Sequence, residues 1–412
     1  MIKKILIIGF VWPEPQSSAA GSRMMQLIET FKSANYNIVF ASACAKTEHA
    51  FNLESIGVSQ VKIELNHSSF DEFIKVLAPD VVLFDRFMVE EQFGWRVAKH
   101  CPNALRVLDT EDLHFLRKGR HQALKDKVHF NKVYLFNDTA KREIASIYRS
   151  DLSLIISEAE MEILMQDFNI DESLLLYLPF MLDKLSEDKI TSIPKFKERR
   201  HFISIGNFLH APNYDAFLFL KEAIWPLIRA ELPLTELHIH GAYVQQKAKQ
   251  LHDEKQGFLI KGFAEDLNWV MQQSKVCLAP LRFGAGLKGK LVDAMQNGTP
   301  CILTTIAAEG MFGTIKPNGF VEDTPENIAD KAIELYNNEK LWFENQQNGF
   351  KIINVRFNKT EHQEKFLDVI LETTKQLHDK RQHNFIGQML QHHTMQSTKY
   401  MGKWIEEKNK II

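Results

Sequence analysis

Cysteine is scarce in this chain of 412 residues. It has four, Cys44, Cys101, Cys277 and Cys301, and none lies near another. That spacing leaves no zinc ribbon, redox CxxC pair or disulfide framework to be read. Cys277 and Cys301 stand in apolar stretches and read as small core residues, which fits a reducing, cytoplasmic setting. An excess of one charge is also missing: 50 Lys and Arg against 52 Asp and Glu give −2, so no whole-molecule field attracts nucleic acid. Any anionic ligand has to be held by local geometry. No apolar run reaches the roughly 18 residues that span a bilayer. The N-terminus comes nearest, with Lys3-Lys4 ahead of the apolar residues Ile5 to Trp12. That run is rich in β-branched residues and breaks at Pro13-Glu14-Pro15, which suits a buried first strand better than a leader peptide.

What the chain does have is 45% hydrophobic and 25% charged residues, enough to build cores over two to three domains at roughly 150 residues each. Short apolar runs alternate with longer helical stretches, and the pattern occurs twice. The predicted strands are 5–8, 38–41, 81–84, 105–108, 132–136 and 154–156, then 202–205, 236–239, 258–260, 276–279, 301–304 and 319–321. Such alternation predicts an α/β chain of two Rossmann-like, doubly wound parallel-sheet domains facing a central cleft. The first domain is placed at 1–181. A polar stretch at 182–200 reads as the linker, 201–373 as the second domain and 374–412 as a helical extension. In that extension His378, His383, His392 and His393 match no metal-site spacing, and Trp404 with Ile405 offers an anchor onto the body.

Ligands of open parallel sheets bind outside the carboxyl ends of the strands. Two loops there carry chemistry. The first, Pro13 to Arg23, opens a helix with small residues, so Gly21 presents backbone to a ligand and Arg23 adds charge. The second runs from Ala279 through Arg282, Gly284, Gly286, Lys288, Gly289 and Lys290 to Asp293. Glycines bare the amides, the helix start adds partial positive charge and three cations complete a cradle suited to a diphosphate. The GKS or GKT ending of a Walker loop is absent.

This second loop resembles the donor loop of family-4-type glycosyltransferases with the GT-B fold, in particular a subgroup with R-x-G-x-G-x-K-x-K. Ser204 to Ala216, Lys261 to Leu267, Gly298-Thr299-Pro300 and Ala307 to Met311 extend the likeness through the second half. Leu108 to Arg117 and Ser157-Glu158-Ala159-Glu160 extend it into the first. The resemblance implies transfer of a sugar, with retention, from a nucleotide-sugar donor to a glycan, lipid-linked or other acceptor in polysaccharide or glycoconjugate assembly. It implies that the first domain holds the acceptor and the second the nucleotide. No metal and no cofactor is expected, because amides and cations neutralise the leaving diphosphate.

In the loops after strands, His210 and Glu309 read as donor contacts, with Asn207 and Pro212 at about the places of an Arg and a Lys that the family usually carries; His114, beside Asp109, Glu111 and Asp112, reads as a polar contact to the transferring sugar, and Asp112 or Glu111 as a base for the acceptor hydroxyl. The resemblance also shows departures: of the family's two glutamates eight positions apart, the second is Asp293 and the first is Ala285. An epimerase or hydrolase of the same fold, or a nucleotide-sugar binder without catalysis, therefore stays open. The run Arg117-Lys118-Gly119-Arg120-His121, continuing to Lys125 and Lys127, reads either as a solvated charged face or as a contact with a lipid-phosphate acceptor or, peripherally, with the anionic inner face of a membrane.

Overall fold

The computed structural model describes residues 3–410, apart from the side chains of 393–396, so His393 of the tail falls outside the described side chains. Apolar runs too short for helices and covered on both faces form two wholly parallel sheets. The first holds β1 (Lys4–Gly9), β2 (Asn37–Ser42), β3 (Ser59–Lys62), β4 (Val81–Asp85), β5 (Leu105–Asp109), β6 (Leu152–Ile155) and β7 (Leu175–Tyr177), in the order β3-β2-β1-β4-β5-β6-β7. The second holds β8 (Arg200–Ile205), β9 (Leu237–His240), β10 (Phe258–Gly262), β11 (Ser274–Ala279), β12 (Cys301–Leu303) and β13 (Gly319–Val321), in the order β10-β9-β8-β11-β12-β13. The strand order reverses between β1 and β4 and between β8 and β11, and these switch points open a crevice in each domain.

The predicted strand at 132–136 is instead a 3-10 turn, Lys132–Leu135, capped by the Asn131 side chain. Val133 and Phe136 stay exposed there, and no strand lies alongside to take up the backbone groups. Two strands went unread: β3, a polar and half-exposed edge, and β7, only three residues long.

Residues 182–200, read as an irregular linker, contain a short helix, Glu187–Ser192, and bury Leu185, Ile193 and Arg199. The chain crosses between domains twice, and the crossings are tied together: the Leu182 amide donates to Phe357 O (2.7 Å) and the Lys359 amide to Leu182 O (2.9 Å). From Lys359 the chain already lies on the first domain, where Phe366 and Ile370 join the cluster around Leu27, Ile28 and Phe31. The boundary expected at 373 thus falls inside the helix Lys359–Lys375. Trp404 does not anchor the tail, since it is 60% exposed.

Candidate active site between the two sheets

The loop after β11 crosses the gap between the domains. Gly286 has φ +65°, and a Cβ there would stand 2.9 Å from the Asp112 Cβ of the opposite domain, so only glycine fits. Its amide donates to Glu160 Oε1 (2.8 Å), which also accepts the Leu113 amide (2.9 Å). Gly284 O accepts from Arg120 Nη1 (2.9 Å). Arg120 also pairs with both oxygens of Glu309, at 2.9 and 2.6 Å. Burial opposes ionisation of Glu309, but the hydrogen bonds and charge of Arg120 prevail and its pKa is lowered. Two stretches of the second domain are thereby joined to one helix of the first, His114–Lys125.

The three loop cations separate. Lys288 turns into the interface and donates to Ala285 O (3.2 Å) and Gly286 O; burial lowers its pKa to about 8. Lys290 donates to Asn213 Oδ1 (2.8 Å), and burial likewise lowers it to about 8. Arg282 leaves the cradle. It forms a two-bond pair with Asp215 (2.9 and 2.6 Å) over the Phe219 ring, with its side chain 36% exposed. Asp293, one turn beyond Lys290, is raised by burial to about 7 despite the nearby ammonium.

His210 is within electrostatic reach of Arg117, Asp112 and Arg86 of the first domain and of Lys290 of its own. His210 precedes the helix Ala211–Phe219 and is exposed into the gap. Desolvation by the surrounding protein and then the charge of Arg117 lower its pKa, with Asp112 opposing and Lys290 and Arg86 adding to the fall. Asp112 bonds Arg117; burial works against its charge, but Arg117, His114, His210 and Arg86 together bring it to about 2. A carboxylate so weakly basic is a poor proton acceptor, so the geometry suits Asp112 to orienting cations. His114 is 9% exposed, with Nδ1 3.0 Å from Asp112 O and 3.4 Å from Glu143 Oε1, and its ring stands edge-on to Phe87.

Two members of the first loop do other work. Arg23 is fully buried: Nε and Nη2 grip Asp109 (3.0 and 2.9 Å) and Nη1 donates to Leu178 O (2.7 Å). A guanidinium so engaged and fully shut off from solvent is out of reach of a ligand in the cleft. Gly21 also faces protein. A Cβ would lie 2.4 Å from Glu14 O, and the Gly21 amide is capped by Ser18 Oγ (3.0 Å), so its smallness lets the loop fold back on its own helix. Asn207 serves its turn, accepting from the Leu209 amide (2.8 Å) through Oδ1 and from Asn213 Nδ2 (3.1 Å) through its carbonyl.

The sequence reading passed over Arg86, Arg117, Arg120 and Glu160 as site residues. Arg86 follows β4 with φ +73°, donates its amide to Asp109 O (2.8 Å) and stands over the Phe10 ring. Its place directly after a strand was the available signal. Arg117 and Arg120 are one helical turn apart, a spacing that puts both on one face. That face meets the second domain, and His121 stacks on Phe283 (4.2 Å). Lys125 and Lys127 of the same run are exposed.

Glu160 carries a pH signature. Burial, with Asp112 adding to it, raises its pKa to about 8, while the two amides and Lys288 oppose. A raised carboxyl contributes stability that is complete below its unfolded value and is lost as pH rises through its folded value. Glu160→Gln is therefore expected to melt above the parent at pH 9, with the gap closing toward pH 6, as read by calorimetry. A melting difference that is the same at both pH values would remove this assignment.

Among the described residues, one group of three His and carboxylate side chains is close enough to share a cation: His201, Glu236 and His238. It lies where β8 and β9 begin, at the sheet end away from the cleft. The Glu236 amide donates to His201 Nδ1 (3.1 Å), which leaves the proton of neutral His201 on Nε2, the atom that faces Glu236. That tautomer does not suit a metal.

Residues 199–338 match the family described as Glycosyl transferases group 1. No curated protein matches the chain by sequence. Among solved structures, HepE from Anabaena in complex with UDP and glucose is 14% identical with a TM-score of 0.66, covering 90% of this chain and 100% of its own. WaaG, a glycosyltransferase involved in lipopolysaccharide biosynthesis, is 12% identical with a TM-score of 0.59, covering 90% and 99%. A TarM variant from S. aureus, in complex with Fondaparinux, alpha-GlcNAc-glycerol and UDP, is 16% identical with a TM-score of 0.56 over 73% of this chain. The present chain spans only 57% of that TarM chain. At these identities the likeness establishes the fold, which is GT-B.

Proposed function

We propose that this chain, a glycosyltransferase with the GT-B fold and a group 1 domain at 199–338, moves a sugar from a uridine-diphosphate donor to a hydroxyl of a glycan or lipid-linked acceptor, with retention. The observation that carries this reading is the loop after β11 pressed against Asp112 of the first domain, with Lys290, in the helix which that loop opens, held on Asn213 and Arg117 held on Asp112 opposite. Charge building on a departing diphosphate is best stabilised by donors already in place. In this reading Lys290, Arg86 and Arg117 hold the diphosphate. Asp293 accepts from the ribose, while His114 contacts the transferring sugar. Glu309, with Arg120, borders the sugar pocket. The cations take the part a metal plays elsewhere. The uridine base is suggested by the UDP bound in the HepE and TarM structures.

Retention accords with Asp112 being tied to Arg117, since the departing phosphate is then the stronger base beside the acceptor hydroxyl. The test is nucleotide release from a panel of nucleotide sugars, with and without added glycan or glycerol acceptors. UDP release that needs an acceptor is the expected result. Acceptor-independent conversion would make the chain an epimerase or hydrolase, and binding without turnover would make it a sensor.

A further inference from the structure

The last helix, Phe385–Lys410, is mounted with its apolar side outward. It meets the first domain through glycines and polar groups. At Gly387 a Cβ would lie 2.1 Å from Tyr148 O, and Gly402 lies against the Trp95 ring. Asn384 Nδ2 donates to Tyr148 O (2.7 Å), Gln391 Nε2 to Arg149 O (3.0 Å), and Glu406 pairs with Arg96. The opposite side exposes Phe385 (64%), Ile386 (47%), Met389 (44%), Tyr400 (62%), Met401 (60%) and Trp404 (60%). At 100° per residue, Ile386 and Met389 near one end and Tyr400 and Trp404 near the other fall within a sector of about 60°, an apolar stripe about 27 Å from end to end that the mostly polar segment 391–399 interrupts. A helix ordinarily buries such a stripe, and here the protein does not cover it.

The charges beside the stripe indicate what does. Lys399 stands over the Tyr400 ring (5.5 Å) and Lys408 over the Trp404 ring (5.4 Å), with exposed Lys403 between them. Glu407, on the same side, is already paired with Lys410 (2.7 Å). We propose that this face lies on an anionic lipid surface, with Trp404, Tyr400 and Ile386 at the headgroup level and Lys399, Lys403 and Lys408 on lipid phosphates. Tyr and Trp favour the water–lipid boundary, and lysines beside an apolar stripe mark an interfacial helix. A second copy of this helix offers the lysines no free carboxylate, since Glu406 is paired with Arg96 and Glu407 with Lys410. No helix among the described residues is long and apolar enough to cross a membrane, so the contact is peripheral. It is independent of the donor reading.

The full chain is sedimented with vesicles of phosphatidylcholine alone and with added phosphatidylglycerol. Binding to the anionic vesicles only is expected, falling at least about tenfold at 0.5 M salt. A similar loss is expected in Tyr400→Glu/Trp404→Glu, with melting temperature and turnover of a soluble donor–acceptor pair unchanged. If that variant misfolds, Lys399→Gln/Lys403→Gln/Lys408→Gln tests the same point. Failure to pellet, equal binding to neutral vesicles, or a dimer in analytical ultracentrifugation that the double variant dissolves would each overturn the proposal.

Discussion

Lys290→Met should weaken binding of UDP and its sugars by about 1.5–3 kcal/mol, or about 10- to 150-fold, the range for a hydrogen bond to a charged group. Arg282→Ala should change it by less than about threefold. The sequence places both in one cradle, but Arg282 is already committed to Asp215 through two hydrogen bonds. Lys290 lies in the gap with His210, and its pKa near 8 adds a second expectation. The ammonium is nearly complete at pH 7, about half present at pH 8 and mostly lost by pH 9, so donor affinity should decline from pH 7 to 9 in the parent and be flatter in Lys290→Met. Titration calorimetry reads both. Equal losses in the two variants would place the diphosphate elsewhere.

Arg23→Met should destabilise the first domain by about 3–5 kcal/mol, because it strands the Asp109 carboxylate without its partner inside the fold. For a domain of roughly 200 residues that corresponds to a fall in melting temperature of about 6–20 °C. The companion Arg23→Met/Asp109→Leu should regain much of the loss, since a buried pair replaced by apolar groups is often neutral. If Arg23→Met instead melts like the parent and binds donor poorly, Arg23 is a ligand group after all.

Both results probe the same division in what could be read. The strands that were recognised in the sequence are buried ones, such as Ile5–Ile8 and Val81–Phe84, whose uninterrupted apolar runs only a parallel sheet covered on both sides can satisfy. The three residues of β7 carry too little pattern to stand out, and β3 mixes polar side chains along an edge. The donor loop was recognised because its glycines and cations are adjacent in sequence. The residues that meet it, Arg86, Arg117 and Glu160, lie more than 100 residues away, and although each stands in a loop or run that could be noticed, nothing local says that it faces this loop. Arg23 was misread for the converse reason. The sequence shows a cation beside small residues, but not the carboxylate of Asp109 that lies 86 positions on and neutralises it.

The sequence by itself determined the two parallel sheets, the loops that end them and the reaction class the donor loop resembles, because each depends on residues within one strand–turn–helix unit. Only the tertiary structure decided which cations remain in the gap, which carboxylates they hold ionised and which side of the final helix faces outward. Those outcomes depend on distances between segments remote in the chain. A charge's role is set by the nearest opposite charge and by the water excluded around it, and neither exists until the chain has folded.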